Sequence, residues 1–225
     1  MIQTEKLNKT YKQGKLKVKA VNNVNLKISD GEFTAIVGPS GSGKTTLLNC
    51  IGGLDKPTNG KVTIDGEVIS SYPSNKMIKF RLNNIGFVFQ AYNLIPVLSA
   101  KENIEMIMLM QGYDKQEREQ RSNDLLNEVG MGNMSKRRPA QLSGGQQQRV
   151  AVARALASKP KFILADEPTA NLDSISTAKL LDIMSRLNKQ ENITFIFSSH
   201  DQRVIDRARR VITLEDGKII TDKKK

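Results

Sequence analysis

Several residue types are scarce in this sequence of 225 residues: it has one cysteine, one histidine and no tryptophan, and only 5% of it is aromatic. With Cys50 as its only cysteine, the chain cannot form an internal disulfide, which fits a reducing compartment. No apolar run approaches the roughly 18–20 residues that a membrane span requires, and the first residues lack the apolar segment of a signal peptide. We therefore expect a cytoplasmic protein.

Acidic residues are also in deficit, because 23 of them face 35 lysines and arginines and leave a net charge of +12. A basic surface suits a nucleotide, a nucleic acid or an anionic membrane as a partner, although it is also common as a solvated surface. The basic segments lack the interleaved aromatic residues that stack on bases. We therefore expect no nucleic-acid partner, and we interpret the terminal Lys223–Lys225 as a frayed tail.

A glycine-rich stretch lies between a predicted strand, Phe33–Val37, and a predicted helix, Thr46–Leu54. Residues 38–45 read GPSGSGKT and match the phosphate-binding pattern G-x-x-x-x-G-K-[ST]. Glycines let backbone N–H groups approach an anion closely, and the helix N-terminus adds positive potential. Lys44 supplies a cation for the phosphates, and the Thr45 hydroxyl can ligate Mg²⁺. The alternative is a chance Gly/Ser loop, which the flanking strand and helix disfavour.

Polar side chains follow three other predicted strands. The apolar stretch Phe162–Ala165 is followed by Asp166, whose carboxylate can hold Mg²⁺, and by Glu167, which can orient or deprotonate a water. Gln90 ends another predicted strand, and His200 follows a third. A lone histidine is more often structural than catalytic, but ligands of open α/β sheets bind at the carboxyl ends of the strands.

Three further segments have competing interpretations. Residues 142–149, LSGGQQQR, open a predicted helix, and their glycines either bind an anion or form a flexible cap. Tyr11 lies in a predicted turn after the first strand, where it either stacks on adenine or is a half-buried edge tyrosine. The predicted helical stretch Ser99–Val129 contains an apolar, methionine-rich piece, residues 104–110. That piece is either the core of a helical lobe or a contact surface for a partner.

Taken in order, the motifs resemble the nucleotide-binding subunit of an ATP-binding cassette (ABC) transporter over essentially the whole chain. Residues 38–45 are similar to its Walker A motif, 142–146 to its signature, 162–166 to its Walker B motif and 171–173 to its D-loop. The resemblance implies an active ATPase that uses ATP and Mg²⁺, because no motif residue is degenerate.

The resemblance also assigns roles to single residues. It implies that Lys44, Gln90, Glu167 and His200 act in catalysis, with Glu167 as the general base, and that Thr45, Gln90 and Asp166 hold Mg²⁺. The residues implied to contact ATP are Tyr11, Gly38, Ser40, Gly41, Ser42, Gly43, Lys44, Thr45, Thr46, Ser143, Gly144, Gly145, Gln146 and Asp173.

The fold that the resemblance implies is α/β: a P-loop NTPase core with a mixed sheet, an antiparallel β subdomain and an inserted α-helical subdomain. Residues 1–225 then form a single nucleotide-binding domain. Residues 1–89 and 160–225 are expected to form the RecA-like core with the antiparallel subdomain. Residues 91–158 approximately form the helical subdomain that carries the signature.

The resemblance implies two partners. In such proteins the signature of one subunit caps the phosphate bound at the P-loop of another, so we expect a head-to-tail homodimer when ATP binds. An integral membrane permease is expected to dock on the helical subdomain. This places the protein in the cytoplasm, peripheral on the inner face of the cell membrane.

Local details resemble one subgroup, which serves lipoprotein release, macrolide and peptide export, and cell division. These are residues 90–96, residues 100–104 and the three consecutive glutamines within 142–149. We expect an exporter or extrusion system. The alternatives are a cell-division or mechanotransmission complex that transports nothing, and a soluble nucleic-acid ATPase. Residues 46–141 lack the sustained heptads of a coiled-coil insertion, which disfavours the second alternative.

Overall fold

In the computed structural model, which describes residues 1–14 and 16–225, the strands form one six-stranded and one four-stranded sheet. Along the chain the strands are β1 (Ile2–Gln13), β2 (Leu16–Ile28), β3 (Phe33–Val37), β4 (Asn59–Ile64), β5 (Glu67–Val68), β6 (Ile85–Val88), β7 (Phe162–Asp166), β8 (Thr194–Ser198), β9 (Arg210–Glu215) and β10 (Lys218–Lys224). The α-helices are α1 (Lys44–Ile51), α2 (Ser74–Asn84), α3 (Ala100–Met110), α4 (Lys115–Glu128), α5 (Gly144–Ala157), α6 (Ser174–Glu191) and α7 (Gln202–Arg207).

The six-stranded sheet has the order β10-β9-β3-β8-β7-β6 and is mixed. Its neighbours from β9 to β6 pair in parallel, and β10 pairs antiparallel with β9. Side chains alternate between its two faces, and helices or a second sheet cover both, so strands such as Phe33–Val37 read as apolar runs. All parallel strands end at the same edge, which gathers the residues that follow them.

The four-stranded sheet is antiparallel, in the order β2-β1-β4-β5. Helix α1 lies between this sheet and the six-stranded one. Its Leu47 and Ile51 are fully buried in a cluster that contains Ile36 of β3 and Val62 of β4. The opposite face of the six-stranded sheet packs against α3, α4, α5, α6 and α7.

Helices α3, α4 and α5 pack together through Ile104, Met108, Leu125 and Val150, which are almost fully buried. The side chains that start these helices close capping boxes, which satisfy free backbone N–H groups. The core interpretation of the methionine-rich piece applies to Ile104 and Met108, whereas Met110 at its end is 55% exposed. Among the described residues, no helix combines the length and apolarity needed to cross a bilayer.

Three local predictions were wrong. Tyr11 lies in a strand, because β1 continues through Gln13 and pairs Tyr11 with Val18 of β2. Helix α1 ends at Ile51, since Gly53 adopts a left-handed backbone, and Leu54 is left outside the helix. The terminal lysines are not a frayed tail, because β10 runs to Lys224 and pairs with β9.

Arg210 explains why the end of the chain is held. Its guanidinium donates two bonds of 2.7 Å to Asp222 of β10, one of 2.8 Å to Glu32 and one of 2.7 Å to the Lys27 carbonyl. Burial opposes ionisation of Glu32, yet the Arg210 guanidinium holds the pKa of Glu32 below its usual value. The same guanidinium lowers the pKa of Asp222. Arg210 thus joins the two sheets and the last strand through charged contacts.

Replacing Arg210 by methionine should lower the free energy of unfolding by about 3 kcal/mol at neutral pH, because Glu32 loses its buried partner. Both carboxyl pKa values are lower in the folded state, so the pairs stabilise above the ordinary carboxyl pKa of about 4 and lose this effect as the pH falls through the folded values. Urea unfolding at neutral pH and at about pH 3 should therefore show a smaller difference in acid.

The exposed ion pair of Arg207 with Asp182 offers a matched control. Arg207→Met should cost less than about 1 kcal/mol at either pH. An Arg210→Met cost that stays the same in acid would show that packing, rather than charge, holds β10.

Candidate functional site

The glycine-rich loop leaves the carboxyl end of β3 and enters α1 with no room for side chains at its start. Gly38 has φ of 149°, and a Cβ there would lie 2.0 Å from the Leu214 carbonyl oxygen. Lys44 is buried, and its Nζ donates bonds of 2.9 Å to the carbonyls of Gly38 and Pro39. The ammonium group is therefore folded over the loop, at the positive end of α1, where an anion binds most favourably.

Two oxygen donors meet beside this loop. The Thr45 hydroxyl, at the start of α1, donates to Asp166 Oδ1 at the end of β7 over 2.8 Å. A hydroxyl and a carboxylate are hard oxygen ligands, and Mg²⁺ in phosphate sites takes few protein ligands and completes its shell with waters and phosphate oxygens. This pair of oxygen ligands therefore fits Mg²⁺. Gln90 lies beside it, because Gln90 and Thr45 line one cavity next to the glycine-rich loop.

A carboxylate and an imidazole lie across from the loop. His200 Nδ1 is 2.9 Å from Glu167 Oε1, and the Ser199 hydroxyl donates to Glu167 Oε2 over 3.4 Å. Glu167 has a left-handed backbone, with φ of 46°, and its N–H donates to the Ser198 carbonyl over 2.8 Å. This unusual conformation for a side-chain-bearing residue turns the carboxylate towards the cavity rather than along β7.

One cavity of about 570 Å³ joins these groups, a volume that suits a nucleotide. It is lined by Ala20, Gly38, Pro39, Ser40, Gly41, Gly43, Lys44, Thr45, Thr46, Gln90, Glu167 and His200. Ser42 is buried in the loop beneath it. The structure thus gathers the candidate phosphate, metal and catalytic residues from the carboxyl ends of β3, β6, β7 and β8.

The residues of the resembled signature lie elsewhere. Ser143 caps α5 and exchanges hydrogen bonds with Gln146, while Gly144 and Gly145 contact Tyr92 and Ser176. None of residues 143–146 lines the P-loop cavity. Asp173 is likewise outside it and caps α6, where it accepts from the Ser176 N–H over 2.9 Å. The structure therefore does not bring the signature and the P-loop of one chain together.

Tyr11 lies near the loop but outside the lining of the cavity. Its hydroxyl donates to Asp55 Oδ2 over 2.5 Å, and the residue as a whole is 42% exposed. Burial and then the bond to Asp55 raise the pKa of the Tyr11 phenol, against a bond to Thr46 that lowers it. The contact with Thr46 places the ring beside the first turn of α1.

Sequence reasoning missed the polar contacts that hold these segments in place. The fully buried Gln148 donates to the Phe89 carbonyl, next to Gln90, and over 2.8 Å to the Pro168 carbonyl, next to Glu167. Its position among three glutamines was the available signal, but its partners are distant in sequence. Asp55 and Ala20 gave no signal, since the positions of both depend on how β1 pairs.

Comparisons with known proteins agree with this geometry. The family described as “ABC transporter” matches residues 21–170. A lipoprotein-releasing system ATP-binding protein of Syntrophus aciditrophicus is 44% identical over 98% of this chain and 99% of its own length. A macrolide export ATP-binding/permease protein of Hyphomonas neptunium is 46% identical over 99% of this chain and 34% of its own length.

Among solved structures, an ATP-binding cassette of Methanocaldococcus jannaschii, in a dimeric post-hydrolysis state bound to ADP and Pi, matches with a TM-score of 0.94. It is 43% identical, and the match covers 100% of this chain and 98% of that one. These findings confirm the predicted family and fold class.

Two glycines of the loop provide a test of its packing. Gly38→Ala should lower the free energy of unfolding by more than about 2 kcal/mol, because the new Cβ would clash with the Leu214 backbone. Gly41 also has a positive φ, of 79°, but a Cβ there meets nothing within 4 Å, so Gly41→Ala should cost about 1 kcal/mol. Urea unfolding without nucleotide measures both, and equal costs would contradict the described loop packing.

Proposed function

The chain belongs to the ABC transporter family, and we propose that it is the ATP-binding and ATP-hydrolysing subunit that drives a membrane transporter from its cytoplasmic side. The observation that carries this proposal is the arrangement within one cavity. There Lys44, folded over the glycine-rich loop, faces the Glu167–His200 pair. A phosphate bound by the loop is thereby presented to a carboxylate.

The proposed roles follow from the chemistry of these groups. Backbone N–H groups of the loop bind phosphate oxygens, and the Lys44 ammonium exchanges its carbonyl partners for the β and γ phosphates. Thr45 and Asp166, with Gln90 nearby, would hold Mg²⁺, which would supply positive charge next to the phosphates. The Glu167 carboxylate accepts a proton from the attacking water as the new oxygen–phosphorus bond forms and the bond to ADP breaks. His200 holds that carboxylate in position.

We also propose that the working unit is a head-to-tail homodimer. The signature residues of one chain do not line its own P-loop cavity, so a second copy is the natural source of the groups that complete the site. The dimeric state of a relative with ADP and Pi supports this arrangement. Each cavity alone then has only part of the electrostatic stabilisation that phosphoryl transfer requires.

The permease is proposed to dock on the helical subdomain, residues 91–158. A cavity of about 420 Å³ lies between α2, β6 and α3, and its lining is largely apolar. Ile78, Met106 and Met110 border it and are partly exposed, and Arg154 lies within it. Such a groove fits the apolar face of a helix from the partner, and the flexible thioethers adapt to its shape. A relative that unites ATP-binding and permease functions in its name supports an export role.

Replacing Glu167 by glutamine should leave ATP binding intact but reduce hydrolysis at least a hundredfold, because the general base is lost. The variant should accumulate as a dimer when ATP and Mg²⁺ are present. Steady-state phosphate release and light scattering after size exclusion measure the two effects.

Lys44→Ala serves as the control, because it removes the phosphate cation and should neither bind ATP nor dimerise. Hydrolysis by Glu167→Gln at the wild-type rate would reject the proposed mechanism. A variant that binds ATP and remains a monomer would count against the dimer.

The docking proposal predicts a separate loss. Met106→Glu with Met110→Glu, added to tagged Glu167→Gln, should lower the amount of polytopic membrane protein that co-purifies from ATP-treated membranes by about tenfold. A charge placed in an apolar contact must be desolvated. The exposed apolar Ile220 in β10 provides the control, since Ile220→Glu should change nothing. Unchanged recovery with both substitutions would exclude this groove.

A further inference from the structure

The loop that follows α1 is fastened to β1 by a set of polar contacts. Lys9 Nζ donates to Asp55 Oδ1 over 2.5 Å and to the Lys56 carbonyl over 2.8 Å. Further along the same loop, the Thr58 N–H donates to the Asn8 carbonyl over 2.8 Å. The loop therefore keeps a fixed position against the strand that carries Tyr11.

Tyr11 is held by the same two side chains. Its hydroxyl donates to the second oxygen of Asp55 over 2.5 Å. Lys9 and Tyr11 are two residues apart on β1 and lie on the same face, with Lys9 Nζ 4.9 Å from the centre of the ring. The Lys9 and Asp55 side chains are themselves only 13% and 27% exposed. The tip of the ring and one of its faces are thus held in place, while the residue as a whole remains partly exposed.

Tyr11 lies beside residues that line the cavity, although it does not line the cavity itself. Lys9 pairs with Val21 and Thr10 with Lys19, so Ala20 is an extra residue on β2. Ala20 and Thr46 both line the P-loop cavity, and the Tyr11 hydroxyl interacts with the Thr46 side chain. The Tyr11 hydroxyl is therefore next to a residue of the cavity wall at the start of α1.

The ionisation states of Asp55 and Tyr11 determine which of the two side chains donates the hydrogen bond and which accepts it. Burial opposes ionisation of Asp55, yet the bonds from Lys9 and Tyr11 hold its pKa below the usual value. Burial and the neighbouring carboxylate raise the pKa of Tyr11. At neutral pH Asp55 is thus a carboxylate that accepts two bonds, and Tyr11 is a phenol that donates one.

We propose that Asp55 and Lys9 are positioning residues that hold the Tyr11 ring as a preformed platform for the base of the nucleotide. The inference rests on the proposed function, in which ATP occupies the cavity, and on the resemblance, which implies that Tyr11 contacts ATP. A ring that is already ordered loses little rotational freedom when the base stacks on it, so the tether strengthens binding of the base without touching the phosphates.

The test compares ATP with inorganic tripolyphosphate, each with Mg²⁺, because tripolyphosphate has the charged part of the ligand and no base. Tyr11→Phe keeps the ring and removes the tether from one side, and Asp55→Asn turns one of its acceptors into a donor. Each should weaken ATP binding about three- to tenfold, measured by titration calorimetry, and leave the affinity for tripolyphosphate unchanged. The double variant should be no weaker than the weaker single variant, because both lose one shared interaction.

The chain contains a matched control. Tyr72 donates its hydroxyl to Glu67 and lies under Lys76 Nζ at 3.8 Å, which is a similar group of tyrosine, carboxylate and lysine outside the lining of the P-loop cavity. Tyr72→Phe should change neither affinity.

Tyr11→Ala distinguishes the contact between Tyr11 and the base from the positioning role of Asp55 and Lys9. If Tyr11→Ala weakens ATP binding but Tyr11→Phe and Asp55→Asn do not, the base contact stands and the positioning role is overturned. If Tyr11→Ala has no effect on ATP, the base contact implied by the resemblance fails and the inference fails with it, while the proposed ATPase function stands. A parallel loss of tripolyphosphate binding in Tyr11→Phe would also overturn the inference, because the change would then act on the phosphate loop.

Discussion

Burial of α1 between the two sheets is the constraint on which the candidate site depends. Leu47 and Ile51 are completely removed from solvent, so the helix cannot shift without opening a cavity in a close-packed core. Its first residue, Lys44, covers the glycine-rich loop, and the loop after its last residue presents Asp55 to Tyr11. The two ends of one short, immobile helix therefore set the spacing between the phosphate region and the ring.

Around that helix the site is assembled from residues at the ends of strands. Some of its parts contact each other within one chain, and others do not. The Thr45–Asp166 and Glu167–His200 contacts are direct and lie within one chain. The signature residues do not line the P-loop cavity of their own chain, and a side chain at Gly144 or Gly145 would clash with Tyr92 or Ser176. This division explains why an activity proposed for the dimer has no complete site in a single copy. Interactions between neighbouring segments, such as those of Gln148, keep the separate parts in fixed relative positions.

The sequence predicted those parts of the arrangement that depend on residues close together in the chain, and it missed several of those that depend on residues far apart in the chain. The strand, loop and helix around residues 38–45 were predictable, because apolar periodicity and glycine spacing are local properties. The meeting of Asp166 with Thr45, and of Glu167 with His200, followed from a general rule for parallel sheets, and the family and fold class were confirmed. The end of α1 and the long β10 were not predicted, since the first depends on the left-handed backbone of Gly53 and the second on the distant Arg210. The Asp55–Tyr11 bond depends on both the strand register and the helix end, and neither is visible in a sequence pattern.

The order of strands in the six-stranded sheet also has a consequence for synthesis. The central strand β3 lies between β8 and β9, which are translated more than a hundred residues after it. A nascent chain that has left the ribosome up to residue 90 thus contains the whole glycine-rich loop but neither strand that flanks it. Contacts at such sequence separation form late, because loop closure must precede them. The sheet around the glycine-rich loop is therefore complete only when the C-terminal third has emerged, and a ligand that binds the folded state stabilises finished chains.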